Sequence, residues 1–166
     1  TPCGTLFPYT TLFRSGKFAA LAGPRLSALR AMRLEYLGKA GLTIYEPKNA
    51  AIRILPYDHK AMDPRLRAIV RAIPPAGFPN SAAGRVYPDF PADTWCEALR
   101  TLVYREPKIP VFGEGDMKLW HLLRATWAVN CARRGATLWE LMAWGGWKTP
   151  DVVMRYVNIA HAAGME

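Results

Sequence analysis

The chain of 166 residues is 51% apolar, which suits one domain with its own core. No apolar run reaches the length of a membrane span, no signal peptide opens the sequence, and the three cysteines form no CxxC pair, so neither a membrane protein nor a zinc or disulfide framework is indicated. The net charge of +9 predicts a polyanionic partner, because Lys and Arg bind phosphates by displacing counterions; a merely soluble basic surface is the alternative.

Most of the net positive charge lies in the first half of the chain. Residues 1–83 carry 12 Lys and Arg against 4 Asp and Glu, whereas residues 84–166 carry 10 against 9. The chain begins with Thr1, and Thr5 to Ser15 reads TLFPYTTLFRS, which resembles translated adapter sequence. We therefore expect residues 1–15 to be a non-native or disordered leader and residues 16–166 to form the domain.

The first predicted helix begins at Gly23 and Pro24, with Pro24 at the first helical position, and continues to Gly38. Its apolar face consists of residues at helical spacing, namely Leu26, Leu29, Met32 and Tyr36. Arg25 falls in the first turn, where backbone N–H groups and the helix dipole favour a phosphate. Arg25 is therefore a candidate phosphate ligand, and a solvated surface arginine is the alternative.

Two short strands follow. Leu42 to Glu46 and Ala51 to Leu55 contain β-favouring isoleucines, and the four residues from Pro47 to Ala50 turn between them. Lys48 lies at the tip of this predicted hairpin, where a flexible ammonium can reach toward a polyanionic partner. The alternative is an ordinary solvated lysine.

A helix capped by Asp63 and Pro64 comes next, and its arginines are candidate contacts to backbone phosphates of the polyanionic partner. The residues predicted to face inward are Leu66, Ile69, Val70 and Ile73. Arg67 and Arg71 are four residues apart and therefore share the outer face, where both can meet phosphates.

The middle of the chain carries fewer signals. Pro74-Pro75 ends the preceding helix, and a loop rich in Pro, Gly and Ala reaches Ala92. A helix is expected from Asp93 or Thr94 to about Tyr104, because Thr94 and Glu97 have capping-box spacing. The stretch from Glu106 to Lys118 is predicted to be irregular.

The C-terminal quarter begins with a helix that carries His121 and Arg124 on one face, since residues three apart are neighbours on a helix and can grip the same anion. Gly135 is a plausible stop after its last turn. The predicted apolar stripe comprises Leu122, Ala125, Val129 and Ala132. Four tryptophans at near-helical spacing are expected in the core, namely Trp120, Trp127, Trp139 and Trp144.

Two further helices follow at once. Thr137 and Glu140 have capping-box spacing and start a short helix from Leu138 to Trp144, which Gly145 and Gly146 end. Thr149 as N-cap and Pro150 as the first helical residue then start a helix that carries Tyr156 about two turns in.

The motifs H-L-L-R (His121 to Arg124), G-G-W (Gly145 to Trp147) and R-Y (Arg155, Tyr156) resemble those of the tyrosine recombinase, or phage-type integrase, family. Upstream, G-P-R-L-S resembles the family's first arginine motif and P-K-N resembles the lysine of its β-hairpin turn. The resemblance covers roughly residues 19–160. It implies six catalytic residues in the family's order, which are Arg25, Lys48, His121, Arg124, Trp147 and Tyr156.

The resemblance implies a mainly α fold with a small antiparallel β-hairpin and a DNA strand transferase that breaks and rejoins double-stranded DNA. Tyr156 would attack the scissile phosphate and form a 3′-phosphotyrosyl intermediate, with no metal or cofactor. Arg25 and Arg124 would clamp the phosphate oxygens. His121 would accept the tyrosine proton, and Lys48 would donate a proton to the departing 5′ oxygen.

The same resemblance implies a homo-tetramer on DNA, no membrane association, and a cytoplasmic protein of bacterial or phage origin that serves a mobile element. It also implies that the family's N-terminal core-binding domain is absent from this chain. The chain departs from the family pattern at Ala28, where Glu is common, at Ala125, where His is frequent, and at Trp147, where many relatives have His. A non-catalytic DNA-binding remnant and a type IB topoisomerase-like enzyme are the alternatives.

Overall fold

The computed structural model of the chain describes residues 6–89, 91, 93–95 and 116–162. The helices are α1 (Leu6–Ala22), α2 (Leu26–Arg30), α3 (Arg65–Arg71), α4 (Asp116–Arg133), α5 (Leu138–Gly145) and α6 (Pro150–Ala162). The strands are β1 (Gly41–Glu46) and β2 (Ala51–Pro56), and a 3-10 turn spans Leu34–Tyr36. The predicted mainly helical fold with one small antiparallel sheet is confirmed. Most of the predicted helix to Tyr104, and the cysteines Cys3 and Cys96, lie outside the described residues.

The β-hairpin forms where the sequence predicts it. Its strands pair antiparallel from Gly41 opposite Pro56 to Glu46 opposite Ala51. Because side chains alternate across a strand, β1 turns Leu42, Ile44 and Glu46 inward. By the same alternation β2 buries Arg53 and Leu55 and exposes Ile52 and Ile54. Two charged side chains, Glu46 and Arg53, therefore lie inside the fold.

The prediction of one helix from Gly23 and Pro24 to Gly38 is wrong in both its length and its start. The chain forms α2 over only five residues and continues through the separate 3-10 turn. Arg25 is the N-cap residue of α2 in an extended conformation, so Pro24 lies before the helix and does not begin it. The residues of the predicted leader from Leu6 onward lie in α1, which packs on α4. Whether that leader is native to the protein stays a prediction.

Helix α4 differs from its prediction at both its start and its buried face. It begins at Asp116, so Asp116 to Lys118 are helical and not irregular. The predicted stripe is only half-buried, whereas the fully buried face consists of Trp120, Arg124, Trp127, Ala128 and Cys131. Trp120, Trp127 and Trp144 are in the core as predicted, but Trp139 is 72% exposed on α5. The buried face of α4 was predicted wrongly because α4 packs against both α1 and α6, and this packing buries the face that carries Trp120 and Trp127.

The last two helices are those predicted. Thr137 and Glu140 form the capping box that begins α5, and Gly146 ends it as a left-handed C-cap with φ of 66°. Helix α6 starts at Pro150, and its Val153 is buried. Pro64 is the N-cap residue of α3, and Asp63 before it accepts a hydrogen bond from the backbone N–H of Arg65, the first helical residue, at 2.9 Å. Within the described residues, no helix is both long enough and apolar enough to cross a membrane.

Candidate active site

Four of the six candidate catalytic residues line one cavity of about 350 Å³. They come from three separate segments: Arg25 before α2, Lys48 in the hairpin turn, and His121 and Arg124 on α4. The remaining lining residues are Leu26, Ser27, Arg30 and Trp120. The tertiary structure thus brings together basic side chains that are up to about a hundred residues apart in sequence.

Arg25 reaches the cavity from the turn between α1 and α2. Its side chain is 39% exposed, and its Nη1 lies 3.1 Å from Oε2 of the buried Glu46. One part of the guanidinium therefore contacts the interior while another part is open to the cavity. This arrangement suits a group that binds an anion without being fully solvated.

Arg124 is the most deeply buried basic group of the cavity, with 4% exposure. Its Nη1 donates to the carbonyl oxygen of Gly23 at 2.7 Å, and its Nη2 donates to the carbonyl oxygen of Gly145. Burial, then the charges of Arg53 and Arg25, lower the pKa of Arg124 to about 9, so the guanidinium remains charged at neutral pH. Among the described residues, two of its five N–H donors are bound to backbone carbonyls, and the side chain lines the cavity, where a further donor can meet an anion.

His121 and Lys48 lie at the exposed part of the same cavity. His121 is on α4, three residues before Arg124, so the two side chains lie on the same face of the helix and both line the cavity. Lys48 is exposed in the turn that joins β1 and β2. An imidazole and a flexible ammonium at the open side of a site can each exchange a proton with a substrate held against the arginines.

Trp147 and Tyr156 are not among the residues that line the cavity, so the structure does not bring these two predicted residues to it; Trp147 contacts Arg124, and Tyr156 contacts Trp147. The Cζ atom of Arg124 lies 4.3 Å from the centroid of the Trp147 ring. The Trp147 ring is stacked on Trp127 at 6.2 Å and contacts the ring of Tyr156 at 5.6 Å between centroids. A continuous series of contacts therefore joins Arg124 to Trp147 and Trp147 to Tyr156.

The loop after α5 fixes the place of Trp147. A Cβ atom on Gly145 would overlap the Trp147 ring, so the indole lies directly against a residue without a side chain. The backbone N–H of Trp147 donates to the carbonyl oxygen of Met142 at 3.0 Å. The G-G-W motif is thus a helix stop that places an aromatic ring beside Arg124.

Sequence reasoning missed Glu46 and Arg53, which lie behind the cavity. Arg53 Nη2 donates to Glu46 Oε1 at 2.6 Å, and Arg53 Nη1 donates to the carbonyl oxygen of Trp144. Desolvation lowers the pKa of Arg53, while Glu46 opposes that shift. The available signal was the alternation of the strands, which gives both charged residues the same inward register as Ile44 and Leu55.

The candidate DNA-backbone residues Arg67 and Arg71 lie away from this cavity. They line a separate surface pocket of about 390 Å³ together with Lys39 and Tyr57. Arg67 is paired with Asp58 at 2.7 Å. Among the described residues, no group of three or more His, Cys, Asp or Glu side chains is arranged to hold a metal ion.

No family model matches the chain, and no curated protein matches it. Among solved structures, the catalytic domain of bacteriophage HP1 integrase is similar to it, with a TM-score of 0.62 and 17% sequence identity. The likeness covers 98% of this chain and 92% of that domain. At this level of identity the likeness establishes a shared fold, which is the mainly helical fold with a small sheet described above.

Proposed function

We propose that the chain is the catalytic domain of a tyrosine-type DNA strand transferase acting in site-specific recombination. The observation that carries the proposal is the cavity lined by Arg25, Lys48, His121 and Arg124, with contacts that continue from Arg124 to Tyr156. The fold shared with a phage integrase catalytic domain supports it. Double-stranded DNA is the proposed substrate, and the charge of +9 favours such a polyanion.

In the proposed reaction, the phenolic oxygen of Tyr156 attacks the scissile phosphorus. The O–P bond that forms replaces the bond to the 5′ oxygen, so the energy of the phosphodiester is kept in a 3′-phosphotyrosyl link. His121 accepts the phenolic proton, and Lys48 donates a proton to the departing 5′ oxygen. Attack by the 5′ hydroxyl of another strand reverses these steps and rejoins the DNA.

The arginines stabilise the charge that develops on the non-bridging oxygens. Arg124 is buried and already fixed by two backbone carbonyls, so its remaining donors need little reorganisation when the charge appears. Arg25, which lies before α2, can bind the phosphate with the part of its guanidinium that is exposed to the cavity. Trp147 packs between Arg124 and Tyr156, and its indole N–H is a further candidate donor to the phosphate.

Recombination joins two duplexes, so we propose that the active form is a homo-oligomer, a tetramer in its complete state, assembled on DNA in the cytoplasm of a bacterium. The reaction as proposed requires neither metal nor cofactor. Arg67 and Arg71 are proposed to contact backbone phosphates outside the active site, because their pocket is basic and distinct from the catalytic cavity.

The proposal is tested by covalent trapping. A DNA sequence selected for binding from randomised duplexes is nicked next to each phosphate in turn, so that the cleaved fragment is lost and the SDS-stable protein–DNA adduct accumulates. Tyr156→Phe should abolish the adduct while changing DNA affinity by less than about twofold, since one hydroxyl contributes little to binding. Absence of any adduct from the wild-type chain, with DNA binding intact, would favour a non-catalytic remnant.

A further inference from the structure

Glu46 lies at the centre of the charged groups behind the cavity. Its side chain is only 2% exposed and lies between two arginines, 3.1 Å from Nη1 of Arg25 and 2.6 Å from Nη2 of Arg53. Arg53 also donates to the carbonyl oxygen of Trp144, near the end of α5. The buried carboxylate of Glu46 therefore connects Arg25, through Arg53, with the end of α5.

The two contacts of Glu46 are unequal. Its Oε1 accepts a short hydrogen bond from Arg53, whose side chain is 4% exposed. Its Oε2 has no hydrogen-bond partner among the described residues and meets Arg25 only as an ion pair. Arg53 thus holds the carboxylate in place, whereas Arg25 is drawn toward it by charge and keeps its other side open to the cavity.

The charges around this carboxylate also repel one another. Arg25 and Arg53 both lower the pKa of Arg124, and Glu46 raises it, so the three guanidinium groups and the carboxylate interact electrostatically. Without Glu46, nothing negative among the described contacts of Arg25 would hold that side chain near the other two arginines. The first turn of α2, which follows Arg25, carries no acidic side chain that could take this place.

We propose that Glu46 is a positioning residue that holds the Arg25 guanidinium toward the scissile phosphate, with Arg53 fixing Glu46 in turn. The inference rests on the proposed strand-transfer function, because it assigns Arg25 to the phosphate. It adds to that function two residues, on β1 and β2, that touch no substrate. The carboxylate acts on the reaction only through the place and orientation of Arg25.

The test compares two substrates in the adduct assay: the natural phosphodiester, and a duplex with a methylphosphonate at the scissile position. The methylphosphonate lacks one negative oxygen, so cleavage of it depends less on a correctly placed guanidinium. Glu46→Gln should slow adduct formation about 10- to 100-fold on the phosphodiester, the usual cost of losing a group that orients an active-site ligand, and less than about threefold on the methylphosphonate. Glu35→Gln, which makes the same change in an exposed pair with Arg33, should leave both rates unchanged.

An equal loss on the two substrates would mean that Glu46 only supports the fold, and the inference would be overturned. No loss on the phosphodiester would overturn it as well. Because Glu46→Gln leaves Arg53 buried without its partner, the double variant Glu46→Gln/Arg53→Met, which removes the buried charge pair together, serves where the single variant does not fold. The same difference between substrates is expected of it.

Failure of the proposed function is recognised separately. If the wild-type chain forms no adduct with either substrate while it binds DNA, the function proposal fails, and the positioning role is decided by crystal structures of the wild-type and Glu46→Gln chains. Movement of the Arg25 guanidinium out of the cavity wall in the variant would support the role. An unchanged Arg25 would overturn it.

Discussion

Replacing Arg124 with lysine separates what its charge does from what its shape does. The guanidinium of Arg124 donates to two carbonyl oxygens, of Gly23 and of Gly145, and stacks on the Trp147 ring. A lysine keeps one positive charge, but its ammonium is a single nitrogen without the fork of the guanidinium. We expect it to reach at most one of the two carbonyl oxygens. We therefore expect at least one buried carbonyl to lose its donor, and the indole to lose the guanidinium that lies against it.

The expected decrease in stability follows from this geometry. A buried carbonyl without a partner costs about 1–3 kcal/mol, and removal of the cation–π interaction adds about 0.5–1 kcal/mol. Arg124→Lys should therefore lower the free energy of unfolding by about 1.5–4 kcal/mol in urea titrations. Adduct formation should fall further, by about 10²- to 10³-fold, because the phosphate loses a pre-positioned donor.

The matched control is Arg133→Lys, which makes the same substitution at an exposed position of the same helix. It should change stability by less than about 0.5 kcal/mol and leave the adduct rate unchanged. The reasoning is refuted if Arg124→Lys forms adduct at a rate within about threefold of wild type under conditions where both proteins are folded. It is refuted equally if the two lysine variants lose the same stability.

Three further predictions concern Gly145 beside Trp147, Asp63 at the start of α3, and the arginine pair Arg67 and Arg71. Gly145→Ala should displace the Trp147 ring, lower stability by about 1–3 kcal/mol and slow adduct formation, as measured by near-UV circular dichroism and covalent trapping. The pKa of Asp63 is lowered to about 2, first by its hydrogen bond from the Arg65 side chain. The ionised carboxylate therefore stabilises the fold above about pH 4, and this stabilisation is lost as the pH falls toward 2. Asp63→Asn should lower the free energy of unfolding by about 2 kcal/mol at pH 7 and little at pH 2, as measured by urea titrations. Arg67→Gln with Arg71→Gln should weaken DNA binding for all sequences and reduce the salt slope by about 0.9 for each phosphate that an arginine no longer neutralises, as measured by fluorescence anisotropy.

Each of these has a control or a contrary outcome. Gly16→Ala, at a site where a Cβ meets nothing within 4 Å, should leave the Trp147 signal unchanged. A stability difference for Asp63→Asn that does not depend on pH would contradict the assignment of the shift. If the variants of Arg67 and Arg71 retain the wild-type salt slope, their pocket faces away from DNA.

Local sequence signals predicted most of the elements because their causes are local. The capping box at Thr137, the stop at Gly146 and the start at Pro150 depend on hydrogen bonds and backbone angles within a few residues, and the structure has all three. The two strands were predicted from their β-favouring residues and pair as a hairpin, although the burial of Glu46 and Arg53 was missed. The length of the first helix was not, because the chain between Ala31 and Gly38 pairs instead with distant residues, as in the bridge from Arg33 to Arg85.

The sequence by itself determined the types and order of the six candidate catalytic residues and the helix or turn that carries most of them. The tertiary structure alone decided that Arg25, Lys48, His121 and Arg124 line one cavity and that Trp147 contacts both Arg124 and Tyr156. It also decided that Arg124 is buried and that Glu46 lies between two arginines. The physical reason is that residue spacing fixes the face of an element on which a side chain lies, whereas its burial, its charge partners and its distance to other segments depend on which elements pack against that face.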